Sequence, residues 1–386
     1  MPEFEFEHAV VGGGIVGSWT ALHLVRAGKK VILLEQFSHP HTRGSSHGET
    51  RLIRSGYEEP FFCEMMPHAI RMWSELEIEV GKTLMVNTGV IGIAKSPGDM
   101  KHYQDTIDNM KKYCPESLDM TDPRIETLFS RLLKFDKVHG VLMDSSGGIL
   151  LAQKAVLAIQ ALFRERGGTQ WDNSPVQRIE HIGEEEVKLY VDSQRVVKAK
   201  SVVVCAGAWT PRLLSPFATL PLQPSAVKVY YWKTKEKGAY TEKSGFPCVL
   251  DLGEPCIYAL PSYEYPDLVK ICIHVGNANC DPDARDKAHF DPKFEKKLKE
   301  YVREHFPLLE SEPSIVETCM YTLTPDEIFL IDTLPQHKNI VIGSGFSGTG
   351  FKTSPAVGKL LSQMAMGTKT FLDITPYQLS RFQRRK

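Results

Sequence analysis

Three apolar residues, Ala9, Val10 and Val11, run straight into the glycines at 12–14. A helical spacing of apolar positions follows over 15–27 and stops at Gly28. A second apolar run, Val31, Ile32, Leu33 and Leu34, closes on Glu35. Short, wholly apolar runs punctuated this way predict buried parallel strands joined by a tight turn and a helix. The same grammar returns at 201–207, where an apolar run again ends at a glycine, and a helix is predicted over 152–166, ended by Gly167 and Gly168. Two stretches, 91–144 and 221–316, read differently. Alternation over 227–232, 256–260 and 269–274 predicts half-buried strands. Asp291 and Pro292 before Phe294, Leu298 and Val302 predict an N-capped amphipathic helix whose lysines form a solvated face.

The spacing of Gly12, Gly14 and Gly17 has a chemical reading. The first glycine permits the turn, the second lets backbone approach a pyrophosphate, and the third lets the helix pack on the strand. The helix N-terminus, at Ile15 and Val16, would present amide groups and a positive dipole end to phosphates. Glu35 stands about 20 residues on, where an acid binds ribose hydroxyls and repels a 2'-phosphate. This predicts a dinucleotide site and argues against NADP, but does not separate FAD from NAD. The fold class predicted is α/β in an α+β two-domain arrangement: a discontinuous Rossmann-like nucleotide-binding domain of 1–90, 145–220 and 317–386, and a mostly antiparallel-sheet substrate domain of 91–144 and 221–316.

With 386 residues, a large core and two domains are expected. A formal net charge of −1 gives no electrostatic case for nucleic acid or an acidic membrane surface. No apolar run approaches the ~18 residues that span a bilayer. The eight cysteines are scattered without a C-x-x-C pair, which suggests a reducing compartment. The N-terminus is acidic and aromatic, unlike a signal peptide.

Arg43, then Gly44-Ser45-Ser46-His47-Gly48, Arg51 and Arg54 narrow the choice. Together with Ala206-Gly207-Ala208-Trp209-Thr210, Cys319-Met320-Tyr321-Thr322, and Gly345-Phe346-Ser347-Gly348 before Gly350-Phe351-Lys352, they make the chain resemble the monomeric sarcosine oxidase family, and within it the animal peroxisomal sarcosine/L-pipecolate oxidases. The resemblance implies FAD, attached through a thioether from Cys319. It implies cofactor contacts from Gly12, Gly14, Ile15, Val16, Gly17, Glu35 and Gln36. It extends them to Arg43, Ser45, Ser46, His47 and Val176, to Ala206, Gly207 and Trp209, and to Gly345, Gly348, Gly350, Phe351 and Lys352.

Oxidising an amine moves two electrons and hydrogen from a C–N unit to the flavin. The protein must then supply cations for the substrate carboxylate, an aromatic wall, and a cation near the ring. By resemblance Arg54 and Lys352 bind the carboxylate, and Tyr258 and Tyr321 line the pocket. Lys270 and His274 share one face if 269–274 is a strand. The resemblance makes Lys270 the group that activates oxygen and His274 a substrate contact, while His47 and Arg51 adjoin the ring. No metal is expected, since nothing shows ligand spacing with His47. Thr349 stands where many members carry a histidine, and Ile271, Cys272 and Val275 also depart from common residues, so the preferred substrate stays open.

The expected activity is oxidation of a secondary α-amino acid, sarcosine or L-pipecolate, to its imine, with O2 reduced to hydrogen peroxide, by a monomer that binds neither nucleic acid nor membrane. A flavin dehydrogenase with another acceptor, and a non-catalytic NAD-binding protein, are the alternatives. The resemblance implies a peroxisomal address, yet the chain ends Arg384-Arg385-Lys386 rather than in a Ser-Lys-Leu-type tripeptide, and a cytoplasmic one is otherwise expected.

Overall fold

The computed structural model describes residues 1–274, 276 and 278–382; Val275 and the basic terminus 384–386 lie outside them. Strand β1 (Glu3–Val11) pairs in parallel with β2 (Val31–Leu34) on one side and with Arg195–Val204 on the other. Helix α1 (Ile15–Arg26) makes the crossover between β1 and β2. Thr169–Trp171 extends the sheet beyond β2, and an antiparallel meander, Val176–Gly183 and Glu186–Val191, extends it beyond Arg195–Val204. His337–Ser344 also joins Arg195–Val204 in parallel, and Leu330–Leu334 pairs with it. The apolar runs in the sequence are this sheet's interior: Ala9, Val10, Ile32, Leu33, Val202, Val203 and Val204 are fully buried.

A second sheet runs in the order Ala278–Asn279, Gln223–Lys233, Leu268–Ile273, Ile257–Leu260, Cys248–Asp251, Val90–Ala94, Gly140–Asp144 and Leu118–Asp119. Its ladders are antiparallel except between Cys248–Asp251 and Val90–Ala94. The strand Ile315–Leu323 belongs to this second sheet, antiparallel to Gln223–Lys233. The return to the nucleotide-binding sheet, expected at about 317, therefore first appears as a strand at Leu330. A small third sheet holds β3 (Thr50–Ile53) against Gly148–Leu151, with Met85–Asn87 on the other side. The helix Pro292–His305 starts as expected, with the Asp291 carboxylate accepting the Lys293 amide.

Gly12 and Gly17 form the tightest contact at the turn. Gly12 has φ +104, a region open mainly to glycine. A methyl added at Gly17 would sit 1.9 Å from the Gly12 carbonyl oxygen. Gly17→Ala is therefore expected to lower unfolding stability by at least ~1–3 kcal/mol, as an overpacked site does, measured by urea denaturation; unchanged stability would show that the turn yields.

Candidate active site

Two cavities meet where the sheets face each other. The larger, about 500 Å³, starts between Glu35, Gln36 and Val176, and passes Gly12, Gly14, Ile15 and Val16. It continues along Ser45, Ser46, Ala206, Gly207 and Trp209, and ends against Gly348, Gly350 and Phe351. The smaller, about 110 Å³, is lined by Arg54, Tyr258, Lys270, His274 and Lys352. Six residues line both: His47, Arg51, Cys319, Tyr321, Gly348 and Phe351.

Four residues expected to touch the cofactor do not line the larger cavity. Gly17 packs under the turn against Gly12. Arg43 turns outward, donating to Asp286 at 3.2 Å and to the Asp283 carbonyl at 2.9 Å. Gly345, at φ +65, packs beneath it against Thr324 and Leu222. Lys352, expected in both roles, lines only the smaller cavity.

The nucleotide end is pre-organised by backbone. Glu35 accepts the Gly13 amide on one oxygen and the Phe37 amide on the other, both at 2.8 Å, while burial drives its carboxyl above the usual range. The Ile15 amide, expected to face phosphate, donates to Ser46 Oγ at 3.0 Å. Ser46 is thereby fixed at the head of α1. His39 and His41 also line this end, and the buried His41 Nε2 has no hydrogen-bond partner. A positive-φ glycine turn, a helix N-terminus, two serines and an acid at the strand end are the donor and acceptor set a dinucleotide needs, so these residues fit FAD. Glu35, His39 and His41 come within 4.8 Å of one another, but both Glu35 oxygens already hold amides.

The smaller cavity is cationic. Arg54 donates to the Gly56 carbonyl and lies 3.9 Å from the Tyr57 ring centre. Burial, then the charges of Arg54 and Arg51, pushes the Lys352 ammonium down to about 7. His274 is pushed down to about 4 by burial and by Lys352 and Arg54, so its imidazole is neutral near pH 7; its Nδ1 lies 3.4 Å from the Tyr321 hydroxyl. His47 falls to about 4, chiefly through burial, and its Nδ1 meets the Gly44 carbonyl at 2.6 Å. Burial raises the hydroxyls of Tyr258 and Tyr321, keeping both protonated. An enclosed pocket with two adjacent cations and neutral hydrogen-bonding walls can hold a carboxylate.

The sequence did not reveal several supporting groups. Asp144, fully buried, accepts the amides of Ser55 and Gly56 and so shapes the loop that carries Arg54. Glu264 holds Lys270 at 2.6 Å. The Tyr57 ring lies beneath Arg54, with Lys352 Nζ 5.9 Å from its centre. No local pattern marks these residues; each matters only through contacts with distant parts of the chain.

The family model for FAD dependent oxidoreductases matches residues 7–364. This chain belongs to the FAD-dependent oxidoreductases of the sarcosine oxidase family. Peroxisomal sarcosine oxidase of Mus musculus is 42% identical over 380 residues, covering 97% of this chain and 95% of that protein. Monomeric sarcosine oxidase of Arthrobacter sp. (strain TE1826) is 31% identical, covering 98% and 96%. Among solved structures, L-proline dehydrogenase from P. horikoshii superposes with a TM-score of 0.82 at 21% identity, over 100% of this chain and 99% of that one, a likeness of fold. Family membership makes the chain a flavin-dependent amine oxidase that acts with FAD. The non-catalytic NAD-binding alternative falls with it.

A pH dependence follows. Lys352 carries its charge below about 7 and loses it above, because its folded value is depressed. Affinity of the flavin-loaded protein for acetate, followed by perturbation of the visible spectrum, is expected to fall as pH rises through 7, approaching tenfold per unit. Lys352→Met should weaken binding and flatten the profile; an unchanged profile would remove Lys352 from the anion site.

Proposed function

We propose that this protein oxidises a secondary α-amino acid, with sarcosine and L-pipecolate as leading substrates, to the imine. The C–H and N–H hydrogens and the bond's two electrons end on O2, giving hydrogen peroxide. The observation that carries this reading is the junction of the two cavities at Cys319, His47, Arg51 and Tyr321, with paired cations just beyond. The names of the mouse, human and Arthrobacter relatives support sarcosine.

Bound FAD supplies the two-electron acceptor. Arg54 and Lys352 clamp the carboxylate and set the amino acid's direction. The same cations, with Arg51, disfavour an ammonium beside them and so favour the neutral, reactive amine. Neutral His274 and the Tyr258 and Tyr321 hydroxyls provide hydrogen-bonding walls. Arg51 is fixed by the carbonyls of Thr50, Ser45 and His47, with its guanidinium carbon 5.7 Å from the Phe351 ring centre. It offers positive charge at the junction, where negative charge develops on reduction. Lys270 supplies the cation that lowers the barrier to oxygen reduction. Cys319, at the junction, is the attachment point for the flavin. A monomer in the peroxisome completes the reading, supported by the relatives' names.

Aerobic turnover of sarcosine, L-pipecolate and L-proline, with peroxide and oxygen both quantified, tests this. One peroxide per substrate is expected with at least one of them. Lys270→Met should slow reoxidation by oxygen more than anaerobic reduction. Reduction of a dye with no peroxide formed would make the protein a dehydrogenase instead.

A further inference from the structure

Lys270 does not enter the cavity as a free cation. Its Nζ lies 2.6 Å from Glu264 Oε1, 3.0 Å from Thr50 Oγ1 and 3.4 Å from the Thr50 carbonyl. The Lys270 and Glu264 side chains are 9% and 4% exposed, so this pair is almost free of solvent screening. Glu264 Oε1 gathers three donors: the Thr50 amide at 2.6 Å, the Thr50 hydroxyl at 2.5 Å and the Lys270 ammonium.

These groups come from separate elements. Glu264 sits in the connection between strands Ile257–Leu260 and Leu268–Ile273 of the second sheet, and Lys270 on the second of those strands. Thr50 opens β3, directly before Arg51. One carboxylate oxygen therefore ties the ammonium to the strand that presents Arg51 to the cavity junction. Lys270 lines the smaller cavity whereas Glu264 does not. The pair is thus oriented, with its positive end towards the cavity and its negative end behind.

Burial opposes ionisation of Glu264, but the Lys270 charge and the hydrogen bonds from Lys270 and Thr50 outweigh it and hold the carboxyl below its usual range. Removing one partner of such a pair leaves the other charged in a dry site, which costs far more than removing both.

We propose that Glu264 is a positioning residue for the oxidative half-reaction: it fixes the Lys270 ammonium at Thr50 and thereby sets how fast the reduced enzyme reacts with O2, without touching substrate. This rests on the oxidase reading above. A carboxylate serving only to join the sheets would slow both half-reactions alike or neither.

The test separates the half-reactions by stopped-flow absorbance. Reoxidation is expected to slow at least about tenfold in Glu264→Gln, since hydrogen bonds to charged groups carry that much. Reduction by substrate should change much less. Glu264→Asp should fall between Gln and wild type in reoxidation, and if the Gln variant does not fold, the Asp variant decides by the same ratio. Glu264→Gln added to Lys270→Met should slow reoxidation no further. Independently of turnover, the melting temperatures of the two single variants and the double should be non-additive, the double losing less than the sum. Reoxidation at the wild-type rate, equal slowing of both half-reactions, or additive melting shifts would each overturn the proposal. Wild-type enzyme that is reduced by substrate but not reoxidised by O2 would overturn the oxidase reading, and this inference with it.

Discussion

Cys319 reaches the nucleotide cavity because its strand is held in a single register. Ile315–Leu323 pairs with Gln223–Lys233 at every position from Gln223 opposite Leu323 to Tyr231 opposite Ile315. Side chains alternate along a strand, so a slip of one residue would turn the Cys319 and Tyr321 side chains away together. That pairing brings one sheet's residues to the glycine turn of the other. Both cavities, and the residues they share, depend on it.

Charge placement is the second constraint. Among the described residues, Arg51, Arg54 and Lys352 form no ion pair, although each lines the smaller cavity. Arg51 and Arg54 are instead held by backbone carbonyls and by the rings of Phe351 and Tyr57. The cost of crowding cations in a dry pocket appears in Lys352, whose ammonium is pushed down to about 7. On the proposed function a bound carboxylate would relieve it, making recognition of the substrate and relief of stored repulsion one event. Lys270 is treated differently. Its partner Glu264 holds its ammonium against Thr50.

The nucleotide half was legible because its signals are local. Apolar runs, glycines at fixed spacing and the acid at Glu35 all lie within about one βαβ unit, as that motif demands. The helix Ile15–Arg26 and strand Val31–Leu34 appear where the pattern put them. The site itself was legible mainly through resemblance: nothing within the sequence near Cys319 distinguishes it from seven other cysteines. What escaped depends on long-range contact. The helix Pro60–Val80 carries Pro67 in its interior, so local rules argue against its length; packing of Trp73 edge-on to Trp19, and its indole bond to the Lys352 carbonyl, help hold it in place. Glu264 and Asp144 look like ordinary surface acids in sequence, and only the fold buries them. Arg43 and Gly345 stand outside the larger cavity's lining for the same reason: their motifs are local, but the direction each faces is set by Asp286, Leu222 and Thr324 from elsewhere in the chain.

The reading turns on whether a flavin spans the two cavities and is bonded to sulfur at their junction. Acid precipitation of the purified protein, followed by mass analysis of the peptide containing Cys319, measures this directly. Yellow colour retained in the pellet and a flavin-bearing Cys319 peptide are the expected result. Colour released entirely into the supernatant, with the Cys319 peptide at its unmodified mass, would contradict it.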